Sequence, residues 1–105
     1  MKSVNSMQLI EQQSHFWELY QNHDQYYLSI AVDMSSVVYC WDLVLSQTEM
    51  TDYQIHGRSS IEALAKTMID AAYKGDFSIM ESRLASSFDQ SRMQATYRDW
   101  LKSQE

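Results

Sequence analysis

A chain of 105 residues fits one domain and is long enough to bury a real core. Hydrophobic residues make up 45% and charged residues 21%, ordinary globular usage that argues against a disordered tail. With no proline and two glycines, proline-rich linkers and glycine-rich phosphate loops are excluded, and one cysteine, Cys40, excludes an internal disulfide. The net charge is −6, and all of the excess lies early: residues 1–57 hold one base (Lys2) and seven acids, whereas residues 58–105 hold seven of each.

In chain order, residues 6–22 read as an amphipathic helix, with Leu9, Ile10, Phe16, Trp17 and Tyr20 at steps of three and four. Asn5 or Ser6 would cap its start, and Gln21-Asn22-His23-Asp24 would end it. The period then changes to two. Tyr26, Leu28, Ile30 and Val32 alternate with polar or small residues, and Val37, Tyr39, Trp41, Leu43 and Leu45 form one apolar face of residues 36–46. Both stretches suit half-buried strands joined by the short link Asp33-Met34-Ser35-Ser36. The competing reading is one long helix over 26–46, which would make the protein all-α. A third strand is expected over 51–56, carrying Tyr53 and Ile55.

Gly57-Arg58-Ser59-Ser60-Ile61-Glu62 then announces a helix, with Ser59 and Glu62 as a capping box. Ile61, Leu64, Ala65, Met68 and Ala72 supply its apolar stripe, and Lys74-Gly75 its end. Asp76 is placed to cap a further helix bearing Phe77, Met80, Leu84 and Phe88. Met93, Tyr97, Trp100 and Leu101 fall on the opposite side of the same wheel. Either the helix breaks near 86–90, where Ser87 and Gln90 offer a second box, or its end packs against something else, such as a second copy of the chain. The expected fold is α+β in a single domain over 1–105: a small three-stranded antiparallel sheet with helices on one face, in the order α-β-β-β-α-α.

The segment from Tyr26 to Leu45 is apolar enough to test as a membrane span, but Asp33 and Asp42 would each cost on the order of 2.5–3.5 kcal/mol there. No signal-peptide core follows Lys2, and the first arginine is Arg58, so a soluble, cytoplasmic protein without a membrane partner is expected. Chemistry is thinly supplied. Cys40 sits mid-strand without a neighbouring histidine and reads as a structural thiol. Glu11, His15 and Glu18 would share a face of the first helix, but three such residues on a solvated helix are common by chance. His23-Asp24 and His56 read as turn and strand-end residues. No catalytic residue, cofactor or metal site is expected.

The order α-β-β-β-α resembles that of double-stranded RNA-binding domains, whose second helix also begins after a glycine and a serine-rich turn. In this chain that stretch is Arg58-Ser59-Ser60-Ile61-Glu62-Ala63-Leu64-Ala65-Lys66, with a glutamate where lysines would grip phosphate. The charge argues against RNA.

The resulting expectation is a small acidic protein, not an enzyme, that blocks or escorts another protein, by analogy of size and charge with inhibitors of the immunity and anti-defence (anti-CRISPR-like) kinds. Glu18, Asp24, Asp33, Asp42, Glu49 and Asp52 would form a negative face that steers toward a basic, nucleic-acid-handling target. Tyr26 and Tyr27 cannot both point inward from a strand, so one is expected exposed or at an edge, and Tyr27, with Tyr97 and Trp100, is a candidate interface aromatic. Two alternatives stand beside this: a nucleic-acid-binding accessory using Arg83, Arg92, Arg98 and Lys102, and a homodimeric structural or chaperone-like accessory held through the C-terminal helix.

Overall fold

The computed structural model describes residues 7–34 and 37–104, and the expected caps Asn5 and Ser6 lie outside them. The fold is α+β. Four strands, β1 (Gln8–Gln13), β2 (Trp17–Asn22), β3 (Gln25–Met34) and β4 (Val37–Val44), precede four helices, α1 (Gln47–His56), α2 (Arg58–Tyr73), α3 (Ser78–Glu81) and α4 (Ser87–Ser103). The strands make one antiparallel meander in the order β1-β2-β3-β4. The order is therefore β-β-β-β-α-α-α-α, not α-β-β-β-α-α, and the match in order to RNA-binding domains disappears with it.

Strands form in both expected stretches, 26–33 and 36–46, as β3 and as β4 over Val37–Val44, which excludes the all-α alternative. Tyr26, Leu28, Ile30 and Val32 of β3, with Leu43 of β4 and the following Leu45, project to one face of the sheet, here face A. Trp17 and Leu19 of β2 join them, and Met50, Ile61, Ala65, Met68, Ala72 and Met80 of α1, α2 and α3 close the core. Face B carries the alternate residues. There Tyr20 and Tyr27 pack with Ala85 and with Met93 of α4 in a second core, which also takes in Met7. Helices thus cover both faces, not one.

This two-sidedness explains the misread first element. Adjacent apolar pairs such as Leu19-Tyr20 send one side chain to each face, and their spacing imitates a helix. A bulge between Leu9 and Glu11 adds to the confusion, because it turns Leu9 toward Tyr20 on face B and Ile10 and Glu11 toward face A. The β1–β2 turn holds His15 at φ 70°, and the β2–β3 turn holds His23 at φ 57°.

Residues 51–56, expected as a strand, belong to α1. Its start carries a complete capping box: Glu49 N–H donates to Ser46 Oγ at 3.2 Å, and Ser46 N–H donates to Glu49 Oε1 at 2.8 Å. At Gly57, α1 turns straight into α2. The expected Ser59–Glu62 box does not form, because Ser59 Oγ donates to the His56 carbonyl and Glu62 accepts from Arg58 Nε at 3.1 Å. The α2 stripe and its Lys74-Gly75 end agree with expectation, Gly75 adopting φ 84°.

The predicted second helix breaks. Asp76 Oδ1 accepts from Ser78 N–H at 3.0 Å and α3 ends after one turn, with Phe77 stacked on Trp41 at 5.6 Å. The chain then passes along β4, Leu84 making an isolated bridge to Leu43. Ser86, one residue before the expected cap, accepts from Asp89 N–H and starts α4, and Gln90 Nε2 donates to the Ala85 carbonyl at 2.7 Å. Among the described residues no helix is long and apolar enough to cross a membrane.

Candidate functional site

Face B is only partly covered. One row across the sheet, Leu9–Tyr20–Tyr27–Val44, lies beneath α4. The next row, Gln12–Glu18–Ser29–Asp42, emerges beside it, and Cys40 and then Val38 continue β4 outward, with Asp33 opposite Val38. Between this surface and α4 lies a cleft of about 410 Å³, walled by Glu18, Asp42 and Cys40 on the sheet and by Gln94, Tyr97 and Arg98 on the helix.

The cleft is electrostatically uneven. Glu18 and Asp42 project from alternate strands on either side of Ser29. Burial raises both carboxyls above the ordinary carboxylate range. The Asp42 charge pushes Glu18 further, while hydrogen bonds from Ser29 and Gln94 hold Asp42 back. None of the ion pairs among the described residues reaches either of them. Tyr20, buried beside Glu18, is pushed up by burial first and by the two carboxylates second. The Cys40 thiol is also raised, by desolvation and then by Asp42, so it is a weak nucleophile although the residue is exposed.

Of the six carboxylates expected on one face, Glu18, Asp33 and Asp42 share face B. Asp24 sits in the β2–β3 turn and Asp52 on α1, both exposed and away from it. Glu49 is neutralised by Arg83, whose Nη1 donates to both its oxygens. The expectation of a single six-residue face is corrected accordingly. The three strand carboxylates share the face because the register sets Glu18 of β2 opposite Ser29, Ser29 opposite Asp42, and Asp33 opposite Val38. Asp24 leaves because it sits in a turn, Glu49 because Arg83 takes it, and Asp52 because 51–56 is helical.

The aromatic candidates are likewise redistributed. Tyr27 is buried, its hydroxyl donating to Asp89 Oδ2 at 3.3 Å, because α4 gives an inward direction to the second face as well. Tyr97 packs at the edge of the second core and stacks on Trp100 with ring centroids 5.8 Å apart. The exposed large apolar residues of β4 are instead Val37, Val38 and Tyr39. Their signal was present in the sequence as an uncharged run, but alternation alone does not tell an edge strand from a central one.

Glu11, His15 and Glu18 do not converge. Glu11 faces Tyr53 and Arg58 on face A, His15 lies in a turn and Glu18 is on face B. Tyr53 donates to Glu11 Oε2 at 2.6 Å, and burial with that bond pushes its own pKa up to about 12. Among the described residues no three of His, Cys, Asp and Glu gather as a metal-holding group. Of the basic candidates, Arg83 is spent on Glu49, Arg92 lies 4.9 Å over the Phe88 ring, Arg98 borders the acidic cleft and Lys102 is exposed in the last turn of α4. Comparison of the chain with protein-family models, with curated proteins and with solved structures finds no match.

Proposed function

We propose that this chain is a small non-enzymatic binding protein that docks a basic surface of another protein against face B, using Glu18, Asp42 and Asp33. The observation that carries the reading is the half-buried Glu18–Asp42 pair, which no ion pair among the described residues reaches although Arg98 borders the same cleft. Two carboxylates held apart from water at the mouth of a cleft are costly, and a lysine or arginine of a partner relieves that cost. Asp33 extends the negative surface outward along β3, and the excess of six negative charges over the chain steers encounter. The finer reading is an inhibitor or escort of a nucleic-acid-handling protein, because the groove such a protein offers to phosphates is basic.

The test is an affinity pull-down from the native host with the wild-type chain and with an E18Q/D33N/D42N variant, which preserves shape and removes charge. The retained protein is identified and its binding then titrated with salt. A partner held by the wild type, lost by at least tenfold in the variant and weakened as salt rises supports the reading. Binding that ignores both the substitutions and the salt overturns it, and a D24N/D52N variant is expected to bind like wild type.

A further inference from the structure

The two free edges of the sheet differ. The β1 edge lies against a hollow walled by Tyr53, Arg58 and Trp100. The β4 edge is closed over only part of its length. Val44 N–H donates to the Arg83 carbonyl at 2.8 Å and Ala85 N–H donates to the Asp42 carbonyl at 2.9 Å, so residues 83–85 close the edge beside 42–44 through a single bridge. Leu45 N–H, in contrast, donates to Tyr26 across the β3 side. Even residues of β4 therefore turn their backbone groups outward and odd residues turn theirs toward β3. Short of Asp42, the outward groups among the described residues belong to Val38 and Cys40, and no described residue pairs with them.

This stretch lacks the usual guards of an edge. Residues 37–41 read Val-Val-Tyr-Cys-Trp, with no charge, proline or bulge, and Val37, Val38 and Tyr39 are 48%, 58% and 53% exposed. An uncharged, apolar edge with open donors and acceptors is a template for another strand.

We infer that the occupant is the β4 edge of a second copy, paired antiparallel about a two-fold axis through Tyr39. In that register Val38 lies opposite the partner's Cys40 and Cys40 opposite the partner's Val38. Each of those residues donates and accepts one bond across the axis, so both open donors and both open acceptors of each copy are satisfied. The first described residue of the partner strand, Val37, lies opposite Trp41, one residue short of the place that Ala85 occupies on Asp42. On face A the axis sets Tyr39 against its mate and Val37 against Trp41. On face B it sets Val38 against Cys40. No charge opposes a charge, in a chain whose net charge of −6 keeps copies apart elsewhere. The two sheets become one continuous eight-stranded sheet, with both acidic faces on the same side.

An edge this short belongs to the small, transient class of interface, so the dimer forms at high protein concentration. Sedimentation equilibrium from about 10 μM to about 1 mM reads it directly. The wild type is expected to dimerise, and two variants are expected to weaken association at least tenfold while keeping the wild-type circular dichroism. V38P removes one outward N–H without touching the β3 ladder, and Y39K sets like charges across the axis. Cys40 is the only cysteine, and the register holds the two copies of it diagonally, roughly 7–8 Å apart. A short bismaleimide should therefore join them, and oxidation alone should not. A chain that stays monomeric at about 1 mM overturns the inference and leaves the edge to a strand of another chain. A dimer that survives both V38P and Y39K overturns it as well. High salt should leave this association intact or strengthen it, the opposite of its effect on the basic partner above, so the two readings fail separately.

Discussion

Glu18 and Asp42 are where single side chains bear most on this protein's behaviour. Burial raises both carboxyls in the folded chain, so above the ordinary carboxylate values the folded state holds protons that the unfolded state has released. The sign follows from this. Their contribution to stability falls as pH rises through the raised values, and it is recovered as pH drops back through them toward the ordinary carboxylate range. E18Q and D42N should each raise the melting temperature at neutral pH and flatten that slope in a thermal scan across pH. An unchanged slope would show that water reaches the pair freely. Asp76, held below its ordinary value by bonds from Ser78, contributes a slope of opposite sign, so the comparison is variant against wild type. The carboxylates themselves were legible in the sequence as an early negative excess. Their sorting was not, because it depends on which residues share a strand face and on the Arg83 that reaches Glu49 from 34 positions away.

Between elements, the corner from α1 to α2 depends on one residue. Gly57 adopts φ 70° and ψ −146°, a region that only glycine enters without strain, and its N–H closes α1 by donating to the Tyr53 carbonyl at 2.7 Å. A Cβ at this position would meet nothing within 4 Å, so the cost of G57A is purely that of the backbone. It should destabilise the fold by about 1–3 kcal/mol in denaturant titrations with an unchanged slope. A loss below about 0.5 kcal/mol would mean that the corner relaxes at little cost. The sequence marked Gly57 as a boundary and the capping-box pattern as a helix start. The box expected at Ser59–Glu62 does not form, and the one that does, Ser46–Glu49, starts the preceding helix. At the later one Arg58 takes the glutamate, because Glu62 lies one helical turn beyond it and Arg58 also reaches Glu11 and Gln13 of β1.

Across the molecule, two cores share one sheet, with β2 and β3 contributing to both. They should therefore unfold as one unit. Met93 is 1% exposed between α4 and the sheet, and M93A should cost about 2–5 kcal/mol by leaving a cavity. Calorimetry should show one transition moved to lower temperature. A separate early transition assigned to α4 would show instead that the second core is an appendage. What the sequence determined by itself is local. The alternation through β3 and β4, the α2 stripe and its Gly75 end all follow from periodicity, charge and caps within a dozen residues, and the break before α4 is one of the two readings that the wheel leaves open. The tertiary structure decided the rest. A sheet covered on both faces erases the alternation of β1 and β2. Closing part of the β4 edge with residues 83–85 leaves Val38 and Cys40 open. Both outcomes arise from pairings between residues far apart in the chain, and burial and unpaired backbone groups take their value only once those partners have met.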